Sequence, residues 1–483
     1  MAGVGRRLEI GIVDLLTPRP SASPYTRLIA PNFTTVMPQV VGVWAERLGH
    51  RVHYEIYTGR ERLDRLVPGG VDVLFVSAFT SAAPLAAELA RRWRARGAVA
   101  VLGGPHARAY PEEAARDFDY VVGLCDEPLL RDLLADPAPQ AGGGVLLGAA
   151  AQPADLPGVR ERWRFVRHQL RRSDLYGSVS MLGSMGCPYT CSFCIDSRVP
   201  YRPLSYDTIR EDLAFLERAL PRPIVAWHDP NFGVRFDEYM DVLETATSRP
   251  GAVRFACESS LSILSRERLA RLRRCGCVGV VVGIESWNDF HRKAGQRAAK
   301  AGDKMRAVAE HVHEISRFLP YTQANFVLGT DADQGPEPFE LTKAFVDLAP
   351  AAYPAFSLLT AFGRSAPLAE QLAREARVLD VPFPLQDCAS LHNVVLKSYP
   401  AGEFYARAAD LLRYAYGPRA TWRRFQANPA GLGAPFRWAG LVRSATSRLR
   451  VRHYARLART IARDPAAAAF FEAPGPPLPP SLH

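Results

Sequence analysis

The stretch GSMGCPYTCSFCID occupies positions 183–196 and decides how the chain is interpreted. It places Cys187, Cys191 and Cys194 within eight residues, in a chain that has only eight cysteines in 483 positions. A structural zinc site normally takes four Cys or His ligands, and no further cysteine or histidine lies beside this triplet. Three thiolates suit an iron-sulfur cluster that normally takes four, which leaves one iron open to a ligand. The stretch therefore predicts a cluster at which a small molecule binds and reacts.

The triplet directly follows the first of six short apolar runs that alternate with helical patterns. This alternation predicts parallel strands with helices outside them, here a partial (β/α)6 barrel over residues 177–384. In such barrels the chemistry collects at the C-terminal ends of the strands, which is where the cysteines lie. The six runs are SVSMLGS (178–184), PIVAWH (223–228), VRFACESS (253–260), VGVVVGIES (278–286), QANFVLG (323–329) and AFSLLT (355–360).

A second series of apolar runs precedes the barrel and predicts a doubly wound parallel sheet over residues 1–148. Residues 149–176 have the composition of a loose linker, and residues 385–483 have that of a mostly helical extension with a disordered Pro-rich tail. The predicted fold class is therefore α/β, with a Rossmann-like domain before the partial barrel. The runs of the first domain are LEIGIVDLL (8–16), RVHYEIY (51–57), VDVLFVSAF (71–79), AVAVLGG (98–104), DYVVG (119–123) and GVLLG (144–148).

Bulk composition bears on the location and the partners. No uninterrupted apolar run approaches the ~20 residues needed to cross a bilayer. Few cysteines, three of them clustered, favour reduced thiols over a disulfide framework, so we expect a cytoplasmic protein. The formal net charge is +11, but the arginines are spread along the chain without an RNA-binding signature. A solvated basic surface explains this charge better than a nucleic-acid partner does.

One local excess of charge lies in the segment 437–463, RWAGLVRSATSRLRVRHYARLARTIAR, which carries eight arginines with apolar residues at helical spacing. The pattern predicts a basic amphipathic helix, and such helices more often pack on their own protein than contact lipid or RNA. The alternative is a metal-stabilised nucleic-acid-binding protein, in which this helix contacts phosphate and the cysteines only staple a loop. The missing fourth ligand argues against that alternative.

The motif CPYTCSFC resembles the cluster motif of the radical S-adenosylmethionine (radical SAM) enzymes, including an aromatic residue, Phe193, before the third cysteine. The resemblance implies that Cys187, Cys191 and Cys194 are the catalytic and metal-binding residues and hold a 4Fe-4S cluster. It also implies that the amino and carboxylate groups of SAM chelate the open iron. Reductive cleavage of SAM then yields a deoxyadenosyl radical, and the electron comes from a donor such as flavodoxin or ferredoxin.

Other strand ends of the predicted barrel resemble further segments of that family. HDPNFG resembles its DxNF segment, GIES the segment beside SAM, and NFVLGT the strand that approaches adenine. Asp and Asn also cap helices, and a strand-end Glu can simply be solvated, so these alternatives stay open. Glu258, at the end of the third strand, is a further carboxylate that we expect at the same mouth of the barrel and include among the cofactor-binding candidates. The residues that the resemblance implies for cofactor binding in the barrel are Phe193, Asp229, Asn231, Gly283, Glu285, Ser286 and Leu328.

The first domain resembles the cobalamin-binding domain that precedes the barrel in one subgroup of radical SAM enzymes. The resemblance rests on GGPHA, the following PEEA and DYVVGLCDEP. It implies that Ser77 and Thr80 border the corrin, and that Gly103, Gly104 and Pro105 border the nucleotide tail. Paired glycines after a strand are also found in ordinary tight turns.

Two features of the first domain depart from the family pattern. The first loop, VDLLTPRPSASPY, has no DxHxxG motif and so offers no histidine as a lower cobalt ligand. His106 lies in the glycine-pair motif and is not our candidate for that ligand. The usual acidic segment is altered to GLCDEP.

The resemblance implies a cobalamin-dependent radical SAM enzyme that modifies an unactivated carbon of a small molecule, with methyl transfer the commonest outcome in the subgroup. One SAM would methylate cobalamin and a second would generate the radical that removes hydrogen from the substrate. Cyclisation, rearrangement and a radical SAM enzyme without cobalamin are the alternatives. The C-terminal extension is where we expect substrate selectivity.

Overall fold

The computed structural model describes residues 6–18, 30–173, 177–288, 300–428 and 434–482. Two six-stranded parallel sheets, each flanked by helices, make up most of these ranges, and a group of helices follows the second sheet.

The six strands of the first sheet fall on the six apolar runs that the sequence predicts for this domain. They are β1 (Glu9–Leu15), β2 (Arg51–Tyr57), β3 (Val73–Ala78), β4 (Val99–Gly103), β5 (Tyr120–Val122) and β6 (Val145–Leu147). The strand order is β2-β1-β3-β4-β5-β6 with every pairing parallel. The connections reverse direction between β1 and β3, and in such sheets ligands bind outside the carboxyl ends of the strands at this point.

The register aligns three residues at that carboxyl edge. Asp14 on β1 lies beside Ser77 on β3, and Ser77 lies beside Gly103 on β4. Helices cover both faces of the sheet, which is why its central strands are nearly continuous apolar runs. The described helices of this domain are α1 (Val36–Arg47), α2 (Ala83–Arg94), α3 (Pro105–Ala109), α4 (Pro111–Ala114) and α5 (Glu127–Ala135).

The second sheet is the predicted partial barrel, with strand order β14-β13-β12-β11-β10-β7 and parallel pairing throughout. A short antiparallel hairpin, β8 (Ser184–Met185) with β9 (Arg202–Pro203), brackets the cysteine triplet. The strands are β7 (Val179–Met181), β10 (Ile224–Trp227), β11 (Arg254–Ser259), β12 (Cys277–Glu285), β13 (Tyr321–Leu328) and β14 (Tyr353–Leu358). The helices between them are α7 (Tyr206–Ala219), α8 (Phe236–Thr245), α9 (Arg266–Arg274), α10 (Ala301–Phe318) and α11 (Glu337–Leu348).

The predicted linker is more ordered than its composition suggests. Helix α6 (Trp163–Arg172) packs between the two sheets with Phe165 and Val166 fully buried. Arg162, at the start of this helix, is 3% exposed and donates to Gln39 Oε1 at 2.7 Å. The expectation of a loose segment is therefore wrong for residues 163–172, because two apolar side chains and a buried guanidinium fix it. The exact boundaries between the domains stay a prediction.

The C-terminal extension is helical, as the sequence predicts, and its helices share the core of the barrel. They are α13 (Ala401–Ala415), α14 (Pro418–Ala427), α15 (Ala434–Arg463) and α16 (Pro465–Glu472), and α12 (Pro367–Arg374) precedes them, after the last strand of the barrel. The expected disorder of the tail is wrong for residues 473–482, since Leu482 is 1% exposed and Ser481 donates to Asp464. Within the described ranges, none of these helices combines the length and apolarity that crossing a membrane requires.

Candidate active site

The cysteine triplet lies on the loop between β8 and β9, which closes through a glycine turn. Gly186 has φ +67°, and a methyl group there would overlap the carbonyl oxygens of Val199 and Pro200. Only glycine fits this turn without displacing the backbone. The Cys187 amide donates to Val199 O at 3.2 Å, which holds the first cysteine at the neck of the loop.

The other two cysteines form a second, tighter turn. The Cys194 amide donates to Cys191 O at 3.1 Å, and the Asp196 amide donates to Cys194 Sγ at 3.4 Å. All eight cysteines of the chain lie in the described ranges, and none of them forms a disulfide. Among the described residues, no three His, Cys, Asp or Glu side chains are arranged closely enough to hold a metal ion. The loop therefore carries three half-buried thiols that are not arranged closely enough to share a metal ion, and their role as ligands stays a prediction.

Asp229 fastens the start of this loop to the barrel. Its carboxylate accepts from Gly183 N at 2.7 Å, from Ser184 Oγ at 2.9 Å and from Tyr239 Oη at 3.3 Å. Burial raises the pKa of Asp229 to about 6, although these three donors oppose the shift. With 2% of its surface exposed, the residue does not face a cleft. Asp229 therefore holds the loop in position, and its direct contact with a cofactor stays a prediction.

Asn231 and Glu258 join the ends of the next two strands. Asn231 Oδ1 accepts from Ser260 N at 2.9 Å, and the Phe232 amide donates to Glu258 O at 2.7 Å. The Nδ2 group of Asn231 is buried without a hydrogen-bond partner, so it keeps an unused donor at the strand end. The Glu258 side chain is exposed at the same strand end.

The end of β12 departs from regular strand geometry. Its register with β13 shifts between Gly283 and Glu285, and Glu285 has φ +65°. A methyl group at Gly283 would overlap the Glu285 carboxylate. A non-glycine residue in the left-handed region carries strain of about 1–3 kcal/mol, which is characteristic of functional sites. This bulge turns Glu285 away from the regular alternation of the strand.

A buried polar network holds the chain just after this bulge. Ser286 Oγ donates to Asp333 Oδ1 at 2.6 Å, and Lys304 Nζ donates to Ser286 O at 2.5 Å. Asp333 also accepts from Thr330 Oγ1 at 2.9 Å and from Asn288 Nδ2 at 3.2 Å. Sequence reasoning missed Lys304 and Asp333. A signal was present, because Lys304 falls on the buried stripe of α10, whose other residues are apolar apart from Ser316.

Two further predicted residues have apolar or half-buried surroundings. Phe193 is half-buried on the cysteine loop, directly before Cys194. Leu328 is 7% exposed at the end of β13, and its carbonyl accepts from the Leu359 amide at 2.9 Å. Both positions are compatible with an apolar wall beside a ligand, and their roles as cofactor contacts stay predictions.

The two glycines of the first domain differ in what they require. Gly104 has φ +88°, and a methyl group on it would lie 3.0 Å from Ala78 N and 3.1 Å from Ser77 Oγ. Gly103 faces open space, with no atom within 4 Å of the corresponding position. Pro105 begins α3, and Thr80 is buried.

A carboxylate that sequence reasoning missed lies at the same carboxyl edge. Asp14 is 1% exposed and accepts from both Thr35 N, at 3.0 Å, and Thr35 Oγ1, and it also bonds the Ser77 side chain. Burial raises the pKa of Asp14 to about 7. Strand periodicity could not reveal this pair, because the partner helix begins some 20 residues later in the sequence. Ser77 is thus held from one side by Asp14.

The segment after the glycine pair contacts the cysteine loop directly. Arg108 donates to Ile195 O at 2.8 Å and to Asp196 Oδ1 at 3.2 Å. Tyr110 Oη donates to Gln386 Oε1 at 2.8 Å. A cavity of about 360 Å³ lies beside these contacts, lined by the ends of β5 and β6 and by the residues following the triplet. The carboxyl edge of the first sheet therefore faces the cysteine loop of the barrel.

His106 takes part in the packing of this interface. It is 3% exposed, its ring lies 4.9 Å from that of Phe383, and burial lowers its pKa to about 4. The expectation that His106 is not a lower ligand for cobalt stays a prediction.

The barrel thus carries its cysteine triplet on its first loop, next to the carboxyl edge of a doubly wound sheet. A model of the radical SAM superfamily matches residues 181–317. This match confirms the radical SAM domain that the motif CPYTCSFC predicted.

Two relatives and one solved structure show the same relationship. The chain is 24% identical over 329 residues to the bacteriochlorophyllide d C-12(1)-methyltransferase of Chlorobaculum tepidum, covering 66% of this chain and 70% of that protein. It is 26% identical over 387 residues to the bacteriochlorophyllide d C-8(2)-methyltransferase of the same bacterium, covering 73% and 81%.

The solved structure is that of the radical SAM methyltransferase TsrM from Kitasatospora setae, with cobalamin and a 4Fe-4S cluster bound. It superposes with a TM-score of 0.59 at 16% identity, over 92% of this chain and 99% of that one. This likeness shows that the two-domain fold extends over nearly the whole chain.

Proposed function

We propose that this chain is a cobalamin-dependent radical SAM enzyme that transfers a methyl group to an unactivated carbon of a small molecule. The observation that carries the proposal is the contact of Arg108 with Ile195 and Asp196. This contact places the carboxyl edge of the first sheet, where such sheets bind ligands, next to the cysteine loop. Two cofactors bound at these two places would face each other across one cleft. The names of the two Chlorobaculum relatives support methyl transfer as the outcome.

The cysteine loop fits a 4Fe-4S cluster in its chemistry. Cys187, Cys191 and Cys194 would hold three irons, and the Asp196 amide that donates to Cys194 Sγ would stabilise negative charge on that sulfur. Asp229 would keep the loop in place through Gly183 and Ser184. Glu285, Ser286 and the neighbouring polar network would orient SAM beside the open iron.

The first domain fits a large planar cofactor at its carboxyl edge. Gly103 leaves the backbone open, and Ser77 is fixed by Asp14. The sequence between β1 and α1 contains no histidine, so that loop offers no histidine as a lower cobalt ligand. When bound, the cluster with SAM supplies a carbon-centred radical and cobalamin supplies the methyl group. The protein would align these cofactors. The segment 361–386, which contains α12, would shield the cleft, since the Leu368 amide donates to Ser192 O at 2.8 Å and the Arg364 amide donates to Ala109 O at 2.9 Å.

Two finer points belong to this proposal. Few clustered cysteines favour a reducing compartment, so we place the reaction in the cytoplasm. An electron carrier such as flavodoxin or ferredoxin would reduce the cluster.

Anaerobic reconstitution tests the proposal. We expect the protein to incorporate iron and sulfide, to retain added cobalamin through gel filtration, and to release deoxyadenosine from SAM under a strong reductant. The triple variant C187A, C191A, C194A should lose the cluster, whereas C125A, which changes a half-buried cysteine outside the loop, should keep it. Unchanged iron content in the triple variant would disprove the radical SAM site.

The same experiment separates the alternatives. A cluster that forms without retention of cobalamin would show that the first domain has been misinterpreted. Deoxyadenosine formation with a cyclised or rearranged product, and no methylated one, would replace methyl transfer by one of the other outcomes.

A further inference from the structure

Helix α15 carries one continuous stripe of exposed side chains along its outer face. The positions alternate in steps of four and three residues, so they lie on a single face of the helix. We call this set the α15 stripe. Its members are Trp438, Val442, Ala445, Leu449, Arg452, Arg456, Arg459 and Arg463, all of them exposed.

The stripe divides into an apolar half and a basic half. In the first half, Trp438 is 63%, Val442 59% and Leu449 64% exposed. In the second half all four side chains are arginine, and the whole segment 434–463 contains no Asp or Glu. The opposite face of the helix packs on the protein, where Tyr454 and Leu457 are 1% exposed. The exposed apolar side chains are therefore not needed to attach the helix.

An aromatic patch from the neighbouring helix extends the apolar half. Trp422 is 57% exposed and stacks on Phe425 with ring centroids 5.5 Å apart. Phe425 in turn meets Trp438 at 5.6 Å, and the Arg437 guanidinium lies 4.1 Å above the Phe425 ring. The two exposed indoles thus belong to one connected surface. Contiguous exposed apolar surface of this kind marks an interaction site more often than chance exposure.

We propose that the α15 stripe docks on the surface of a lipid bilayer that contains anionic lipids. Exposed Trp beside Val and Leu matches the interfacial zone of a bilayer, where indole rings and aliphatic side chains are both accommodated. The row of arginines matches anionic headgroups in charge. The apolar half extends for about 16 Å along the helix axis, so the helix would lie in the plane of the interface.

Two other occupants fit the stripe less well. Nucleic acid would use the arginines and the indoles but gains nothing from exposed Val442 and Leu449. A second copy of the chain would bring arginines against arginines in a parallel arrangement, and arginines against the apolar half in an antiparallel one. An anionic bilayer satisfies both halves at once. The proposal is independent of the reaction that the barrel catalyses.

Vesicle sedimentation with the full-length protein tests the proposal. We expect binding to vesicles of phosphatidylcholine containing about one-third phosphatidylglycerol, and weak binding to phosphatidylcholine alone. The double variant W438S, L449S removes the apolar contact, and R452E, R459E reverses two charges. Each should lower the partition coefficient by about tenfold or more. Thermal denaturation confirms that the variants remain folded, since all four positions are exposed.

Matched controls use exposed residues elsewhere on the barrel domain. L348S changes a leucine that is 52% exposed, and R222E, R273E reverses two exposed arginines, so both should bind vesicles like the unmodified protein. Failure of the unmodified protein to sediment with anionic vesicles would overturn the proposal, as would loss of binding in the controls to the same extent. The unmodified protein could instead fail to bind vesicles but bind single-stranded RNA or dimerise in a concentration-dependent way. If the stripe variants lost that interaction, the surface would be assigned to RNA or to a second copy of the chain.

Discussion

At the scale of single residues, the fold raises the pKa of Asp229, the carboxylate that holds the cysteine loop to the barrel. The folded-state pKa of about 6 exceeds the ordinary value of 3.8, because burial outweighs the three donors. The folded protein therefore binds the proton more tightly than the unfolded chain. The stabilising contribution is complete below about pH 4 and is lost as pH rises through about 6. Asp14 acts in the same direction up to about pH 7.

The substitution D229N should flatten this pH dependence. An amide keeps one acceptor oxygen for the Gly183 amide but carries no charge to bury. Between pH 4 and pH 7, the free energy of unfolding should therefore decrease by about 3 kcal/mol less in D229N than in the unmodified protein. Urea denaturation at a series of pH values measures the difference. D207N, at an exposed position in the first turn of α7, serves as the control. An unaltered pH profile in D229N would mean that this carboxylate does not titrate in the range.

Lys304 should matter for stability and for binding of SAM. The substitution K304M keeps the volume but removes the donor to Ser286 O and leaves Asp333 without a nearby cation. We expect a loss of about 1–3 kcal/mol in the free energy of unfolding and a weaker equilibrium affinity for SAM. Isothermal titration with SAM measures the second effect. K397M, at a half-exposed surface ion pair, should leave SAM affinity unchanged, and equal loss in both variants would remove any specific role for Lys304.

At the scale of elements, the strands were predictable because parallel strands covered on both faces are nearly continuous apolar runs. Helix α6 was not, because the Pro- and Ala-rich residues before it resemble a linker and its two anchoring side chains meet partners far away in sequence. Phe165, for example, packs where Gly42 leaves room for its ring. The buried tail was missed for a similar reason. Leu482 belongs to the core that the C-terminal helices share with the barrel, and its own short segment carries no pattern that indicates this.

The cysteine loop depends on one turn that admits no side chain. The substitution G186A combines a positive φ with overlap against two carbonyl oxygens, so we expect the loop to be displaced and the reconstituted iron content to fall to less than about one-tenth of normal. Iron and sulfide analysis after reconstitution measures this. G302A places a methyl group within helix α10, 4.0 Å from its nearest neighbour. It should raise stability by about 0.5–1 kcal/mol and leave iron content intact.

The candidate site was predictable only in part. The cysteine triplet and the polar strand ends are local sequence patterns. In the structure, the cysteine loop and these polar segments all follow the carboxyl ends of barrel strands. The partners of these residues are not local, and no periodicity indicates that Asp229 accepts from Gly183 or that Lys304 supports Ser286. Side chains that hold a site through distant contacts leave only a weak signal, such as a lysine within an apolar stripe.

At the scale of the whole molecule, the two sheets are joined by few polar contacts next to the cysteine loop. Arg108 and Asp196 are both about one-quarter exposed, so their ion pair is partly screened. The hydrogen bond from Arg108 to Ile195 O adds a contact that does not depend on the charge of Asp196. Beside the cysteine loop, the interface between the domains therefore includes a contact that single substitutions can weaken without unfolding either sheet.

A double-mutant cycle should measure this coupling. We expect R108M to destabilise by more than D196N, because R108M also removes the contact with Ile195 O, and the coupling energy to be about 0.5–1 kcal/mol. Thermal or urea denaturation of the two single variants and the double variant provides the values. Additive effects within error would show that the pair contributes nothing to the docking of the domains.

The adjacent glycines Gly103 and Gly104, at the carboxyl edge of the first sheet, allow an effect on folding to be distinguished from an effect on cofactor binding. Gly104 is needed by the chain itself, but the space beside Gly103 is left empty by the protein. The G103A variant should therefore have the melting temperature of the unmodified protein but retain cobalamin several-fold less well. The control G70A, at the opposite edge of the sheet, should change neither property. Equilibrium dialysis and thermal denaturation of these two variants provide the comparison, and normal cobalamin retention by G103A would show that the cofactor stays clear of this backbone. A substitution that leaves stability unchanged but lowers binding reports on the cofactor alone, so methyl groups introduced one at a time along this edge would map the shape of the bound cofactor.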